Sequence, residues 1–403
     1  MQSSNQRFAQ RIASVRPSAI REILKVTQRP EVISFAGGLP APEHFPTATL
    51  GALASEVLAS IGSTALQYSL TEGVPELRAW VAERMQGVWG IPTTPDDVLI
   101  TGGSQQGLDL VAKAYLDPGD LVALEAPSYL GAIQAFDTYQ ARYLTIETDG
   151  DGLIPEALER SLSQLSVQPK LLYLIPNFQN PSGTTLSAER REAIVRICEQ
   201  FEIPIFEDDP YGELRFAGTP QRPLASFSSR SPIFYAGTGS KVMAPGLRVA
   251  WLLLRDPAIR AQVVPLKQAS DLHTGTLAQY LFHRFVADES RFSEHLHTIS
   301  SLYGTRQHAM VSGLRATFGS DIEFTIPEGG MFLWATLRGI DNTAALFPYA
   351  QERNVVFVPG EFFYANAKQH NGMRLSFSNT DETKITEGLT RLQAAVNAYH
   401  QAS

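Results

Sequence analysis

The sequence predicts an α/β protein: a large domain on a mostly parallel seven-stranded sheet flanked by helices, with a smaller α+β domain after it. Between residues 97 and 254, short β-rich runs alternate with helical patterns, the rhythm of strand–helix crossovers in a parallel sheet. Several of those runs are apolar at nearly every position, as strands covered on both faces must be. After Asp256 the pattern shifts to a long helical stretch and then to a second group of strands.

Residues 1–45 read as an N-terminal arm, with one helix over Ser18–Thr27 and then the stretch F-A-G-G-L-P-A-P-E-H-F-P from Phe35 to Pro46. Its glycines and prolines argue against regular structure there, so it should drape over a neighbour. The large domain is expected over 46–285. Its strand candidates are Asp97–Thr101, Leu121–Glu125, Arg142–Ile146, Leu171–Ile175, Ile203–Glu207, Ile233–Gly237 and Val249–Leu254, with helices such as Gln105–Tyr115 and Ala188–Phe201 between them. Residues 257–318 carry Leu, Phe, Val and Ile at helical spacing. Strand candidates Ile322–Thr325, Met331–Thr336, Val355–Val358 and Met373–Phe377 complete a small domain over 286–403, joined by the arm.

A chain of 403 residues, 44% of them hydrophobic, can bury a large core. A net charge of -8 gives no support to nucleic acid or an anionic membrane as partner. The single cysteine, Cys198, cannot form an intramolecular disulfide and sits among Ile194, Val195 and Ile197, which makes it a small core residue. The opening M-Q-S-S-N-Q-R-F-A-Q-R has no apolar core of signal-peptide length, and no run is long enough for a membrane span. A cytoplasmic protein is the expectation. His295 and His297 lie two apart on a helix and match no metal spacing, so no metal is expected. His273 reads as ordinary packing, or as lying near a cofactor or a subunit interface. No G-x-G-x-x-G comes after the first long strand, which leaves nicotinamide binding without support.

In an open α/β sheet, ligands bind beyond the carboxyl ends of the strands. The residues just past each strand are therefore informative. Asp97–Thr101 leads into Gly102-Gly103-Ser104-Gln105, a strand-to-helix turn suited to an anion. Leu121–Glu125 leads to Pro127-Ser128-Tyr129, and Leu171–Ile175 to Asn177 and the Asn180-Pro181-Ser182-Gly183 segment. Ile203–Glu207 runs into Asp208-Asp209-Pro210-Tyr211, and Ile233–Gly237 into Thr238-Gly239-Ser240-Lys241, with Arg248 seven residues on. An anion cradle, an aromatic plate, an amide, a carboxylate and a lysine thus stand at five strand ends.

The order and spacing of these motifs resemble the fold-type-I pyridoxal-phosphate enzymes, and within them the class I/II aminotransferases. The R-E-I-L-K and S-F-A-G-G-L-P segments, then Q-Y-S-L-T-E-G, Q-N-P-S-G, S-K-V-M-A-P-G-L-R and G-G-M-F-L-W, are similar to the 2-aminoadipate/kynurenine aminotransferase subgroup from about residue 20 onward. The resemblance implies pyridoxal 5'-phosphate as cofactor, held by Lys241 as a Schiff base, with the same lysine later moving the Cα proton. It implies Asp208 at the pyridinium nitrogen, with Asn180 and Tyr211 at the ring's 3'-oxygen and Tyr129 stacked on the ring. Ser104, Gln105, Thr238, Ser240 and Arg248 would hold the phosphate, and Tyr68 would reach it from the neighbouring subunit of a homodimer. Arg374 would clamp the substrate α-carboxylate. Arg21 would read a distal carboxylate, and the helix from Ser18 together with the Gly37–Pro40 loop, with Gly38 at the substrate, would act as a movable lid. Gly239 departs from the pattern, since the family often has a bulkier residue there.

The resemblance further implies transfer of an amino group from an L-amino acid to a 2-oxo acid such as 2-oxoglutarate by a ping-pong cycle. A pyridoxal-phosphate lyase or decarboxylase is the alternative on the same fold. The effector-sensing half of a transcription regulator is disfavoured, because the pattern starts near residue 20 and leaves no room for a DNA-binding module before it.

Overall fold

The computed structural model describes residues 29–227, 229–366 and 369–402, together with Phe8, Ala9, Arg11, Ile12 and Ile23. Arg21, and all of the expected Ser18–Thr27 helix except Ile23, lie outside the described residues. In chain order the strands are β1 (Ile33–Ser34), β2 (Val98–Thr101), β3 (Leu121–Ala126), β4 (Arg142–Asp149), β5 (Gly152–Leu153), β6 (Leu171–Leu174) and β7 (Ile205–Asp209). They continue as β8 (Ile233–Thr238), β9 (Ala250–Leu253), β10 (Ile322–Phe324), β11 (Phe332–Leu337), β12 (Val355–Val356), β13 (Val358–Pro359) and β14 (Gly372–Ser376).

The large sheet runs β2-β9-β8-β7-β6-β3-β4-β5. Pairings from β4 through β3, β6 and β7 to β8 are parallel, and β9 lies antiparallel between β2 and β8. All seven expected strands are present. The sheet has eight because β5, two residues long, turns back on β4; two residues are too few to leave a periodic signal. Strands β2, β6, β7, β8 and β9 are buried at every position, because helices cover both faces and no polar alternation is needed.

Helices Pro257–Asp271, Thr276–Val286 and Glu289–Phe318 fill the expected helical region. The smaller antiparallel sheet runs β10-β11-β14-β13. The Val355–Val358 candidate does not form one strand. It divides at Phe357: β12 pairs parallel with β1, whereas β13 pairs with β14. The divided segment serves two sheets, so the arm and the C-terminal sheet share it.

That division explains where the arm goes. Phe35 N donates to Val356 O at 2.8 Å, and Ser376 N donates to Phe35 O at 2.8 Å. The arm is thereby carried onto β14, and residues after Phe35 cross above the carboxyl ends of the large sheet. The Phe35–Pro46 stretch holds one 3-10 turn, Pro42–His44, in place of the wholly irregular run expected; proline at its first position presets the needed φ. Glu43 pairs with the buried Arg306, and Tyr303 Oη accepts from Ala41 N at 3.1 Å. Among the described residues, no helix is long and apolar enough to cross a membrane.

Candidate active site

A cavity of about 1100 Å³ opens at the carboxyl ends of β2, β3, β6, β7 and β8. Its wall includes Gly38, Ser104, Gln105, Tyr129, Asn180 and Asp208, and also Tyr211, Thr238, Ser240, Lys241, Arg248 and Arg374. Strand ends far apart in sequence meet here because parallel strands all point their carboxyl ends the same way.

One end of the cavity suits an anion. The Ser104–Tyr115 helix begins directly after the turn at the end of β2, and the first N–H groups of a helix have no intrahelical acceptor. Gly103 precedes it at φ +106°, where a Cβ would collide with Arg248 Nη2. Glycine is required there both for the backbone and for the approach of the guanidinium. Arg248 Nη2 donates to Gly102 O at 2.9 Å, and Thr238 Oγ1 accepts from Ser240 N at 3.1 Å. Gln105 Nε2 donates to Gly131 O at 2.8 Å, tying this corner to the turn after Tyr129. Tyr129 caps the Leu130–Asp137 helix.

The other end is a cluster of buried charge. Asp208, 2% exposed at the end of β7, accepts from Tyr173 Oη at 2.9 Å through Oδ2. Its Oδ1 is buried with no hydrogen-bond partner. Burial pushes its carboxyl up to about 7, the neighbouring Asp209 adds to this, and the Tyr173 hydrogen bond opposes it. Asp209 is instead fully engaged, accepting from Asn177 Nδ2 at 3.1 Å, Tyr235 Oη at 3.0 Å and Gly212 N at 2.9 Å. The two adjacent aspartates therefore divide: Asp209 holds the fold and Asp208 offers an unused oxygen to the cavity.

Arg374, 2% exposed on β14, donates to Asn180 Oδ1 at 2.9 Å and to Ala36 O at 2.6 Å. Its Nε is a buried donor with no partner. The guanidinium carbon lies 4.2 Å from the centroid of the Phe332 ring, a cation–π contact that also excludes water. Asn180 Nδ2 donates to Tyr211 Oη at 3.4 Å. Lys241 Nζ donates to Gly38 O at 2.8 Å. Burial lowers the Lys241 ammonium from 10.5 to about 8, and the charges of Arg374 and Arg248 act in the same direction. One arm segment thus bonds both cations, through the carbonyls of Ala36 and Gly38, and Ser378 Oγ donates to Leu39 O at 2.8 Å.

Ten of the expected site residues share this cavity with Gly38 and Arg374. Tyr68 does not: it is 78% exposed and its ring meets His273 edge-on at 5.8 Å. Two contributors were given no role from the sequence: Phe332, although it lies within the G-G-M-F-L-W motif, and Tyr173, which no motif marks. A tyrosine inside the wholly buried L-L-Y-L strand needs a partner for its hydroxyl, and that need was the available signal.

The family description "Aminotransferase class I and II" matches residues 32–392. The chain belongs to the class I and II aminotransferases. It is 42% identical to a 2-aminoadipate transaminase of Thermus thermophilus, over 98% of this chain and 97% of the relative. It is 39% identical to aromatic-amino-acid aminotransferase 1 of Thermococcus litoralis, over 96% and 94% respectively. Pyrococcus horikoshii kynurenine aminotransferase, solved in complex with PMP, superposes with a TM-score of 0.93 at 37% identity, covering 98% of each chain. This aminotransferase therefore has the type I fold and uses pyridoxal 5'-phosphate.

The residues present fit that cofactor. The unpartnered Oδ1 of Asp208 is an acceptor waiting for a donor in a buried site, where an orphaned oxygen costs about 1–3 kcal/mol. The glycine turn, helix start and Arg248 form a corner of the sign a phosphate needs. Gly239, the departure from the family pattern, is explained by packing: a Cβ there would run into the Phe282 ring. Phe282 takes the space that a larger side chain at 239 would occupy.

Proposed function

We propose that this aminotransferase takes several L-amino acids, of 2-aminoadipate, aromatic and branched-chain type, and passes the amino group to 2-oxoglutarate in a ping-pong cycle. The observation that carries the reading is the pairing of Arg374 with Asn180 beside Lys241 and Asp208 in one cavity of about 1100 Å³. A guanidinium with an unpartnered Nε is suited to a substrate α-carboxylate, and the volume leaves room for side chains of different sizes. The names of relatives, covering 2-aminoadipate, aromatic amino acids and kynurenine, support breadth.

Pyridoxal phosphate, when bound, supplies an electron sink for the negative charge that develops at the amino acid's Cα. The chain's own residues do the rest. Lys241 Nζ would hold the cofactor and, as a free amine, would carry the proton removed from the substrate Cα. Its lowered proton affinity keeps a useful fraction unprotonated near neutrality. Asp208 Oδ1 would accept a hydrogen bond from the protonated ring nitrogen, whose charge would keep the carboxylate ionised despite its burial. Asn180 and Tyr211 would hydrogen-bond the ring's 3'-oxygen, and Tyr129 would pack against the ring. Ser104, Gln105, Thr238, Ser240 and Arg248 would hold the phosphate. Arg374 fixes the α-carboxylate so that the Cα–H bond faces Lys241, an orientation effect on rate. The Gly37–Pro40 loop closes over the substrate.

The same reading makes the protein a cytoplasmic homodimer, with the exposed Tyr68 directed to the partner's phosphate, and makes Arg21 a reader of distal carboxylates. A panel of amino acids with 2-oxoglutarate tests the substrate claim. Glutamate should form from several donors, and Arg21→Ala should lower activity on 2-aminoadipate more than on leucine. No glutamate from any donor would refute the reading.

A further inference from the structure

Lys267 is 0% exposed, in the helix Pro257–Asp271 behind the phosphate corner. Fully buried lysines are rare unless every donor is used. Here all three N–H groups find acceptors: Nζ lies 3.0 Å from Gln106 Oε1, 2.9 and 3.1 Å from the two Asp271 oxygens, and 3.2 Å from Thr274 Oγ1. The acceptors reach further. Gln106 Oε1 also accepts from Gly102 N at 2.8 Å, and Gln106 Nε2 donates to Asp271 Oδ2 at 2.8 Å. Thr274 Oγ1 donates to Ile100 O at 3.3 Å, so the same knot grips β2.

The consequence falls on one turn. Gly102 N donates to Gln106 Oε1, while Gly102 O is held by Arg248. With both polar groups of residue 102 fixed, the start of the Ser104–Tyr115 helix is held in one place; its first N–H groups have no intrahelical acceptor, and Ser104 and Gln105 line the cavity. A flexible glycine pair at 102–103 would otherwise sample many conformations. Preorganised donors bind an anion more tightly than donors that must first be ordered.

We propose that Lys267 is a positioning residue for cofactor phosphate, acting through Gln106 to fix the 102–105 turn. The inference rests on the assignment of the phosphate to this corner. Lys267 does not line the cavity; its effect is on the phosphate handle alone.

The test compares dissociation constants of the full-length apoprotein for pyridoxal phosphate and for pyridoxal, which lacks the phosphate. Lys267→Met should weaken pyridoxal phosphate binding about tenfold and leave pyridoxal binding unchanged, so the ratio of the two affinities falls. Gln106→Met is the second variant. It cuts the link to Gly102 while leaving Lys267 paired with Asp271, and should lower the same ratio even if Lys267→Met does not fold. Arg248→Met separates the two levels. A ratio unchanged in Arg248→Met would refute the phosphate assignment itself. A ratio lowered in Arg248→Met but unchanged in Gln106→Met, and in Lys267→Met where it folds, would overturn the role of Lys267 and leave the assignment standing.

Discussion

Tyr173 donates its hydroxyl to one oxygen of Asp208 at 2.9 Å and leaves the other oxygen, buried and unpartnered, facing the cavity. Tyr173→Phe removes the one bond that favours the ionised carboxyl, so the Asp208 proton affinity should rise above its already raised value of about 7. Titration of the Asp208 carboxyl in the apoprotein should then move to higher pH. Asp208→Asn removes the charge itself and should lower kcat by about 10²–10³, the scale of losing one preorganised electrostatic partner. Cofactor loading, read by absorbance, checks that each variant still binds.

Arg374 offers a planar fork to a carboxylate, and lysine cannot reproduce it. Arg374→Lys should raise KM for the amino donor and lower kcat/KM by roughly 10², as expected when the reacting bond loses its orientation. Steady-state kinetics with one donor and 2-oxoglutarate reads both constants. An unchanged KM would remove Arg374 from the carboxylate site.

The Lys241 amine sets a pH dependence with a defined sign. Burial, reinforced by Arg374 and Arg248, lowers it from 10.5 to about 8, so it is cationic below that value and free above it. Reconstitution of apoprotein with cofactor needs the free amine and should speed up as pH rises toward about 8, then level off. In Arg374→Leu one source of repulsion is gone, and the inflection should shift to higher pH. Because the native amine binds its proton more weakly than the unfolded one, this group's contribution to apoprotein stability should rise with pH between about 8 and 10.5.

Gly239 and Phe282 form a packing pair. Gly239→Ala forces a methyl against the ring and should cost about 1–3 kcal/mol. Phe282→Leu added to it should recover part of that loss, a coupling that denaturant melts of the two single variants and the double variant would measure.

Much of this site was legible because parallel strands bring their carboxyl ends together, so reading the residue after each strand collects the cavity wall. Lys241, Asp208, Asn180 and Ser104 were found that way. Tyr173 was not, because its contact with Asp208 depends on the register of β6 against β7, which no local pattern encodes. Lys267 lies 161 positions from Gln106 in the chain, and nothing local distinguishes a buried lysine from a solvated one. Strand β5 was too short to show a period, and β12 and β13 were read as one strand because the divide at Phe357 is a tertiary choice. The bonds from Ala36 and Gly38 to the two cations are made by backbone carbonyls, which every residue carries, so they left no trace in composition.

The most direct test of the central claim is the identity of the lysine that holds the cofactor. Reduction of the loaded enzyme with borohydride, then digestion and mass spectrometry, should place a phosphopyridoxyl group on Lys241. A label on another lysine, or full turnover with a reducible cofactor bond retained in Lys241→Ala, would contradict it.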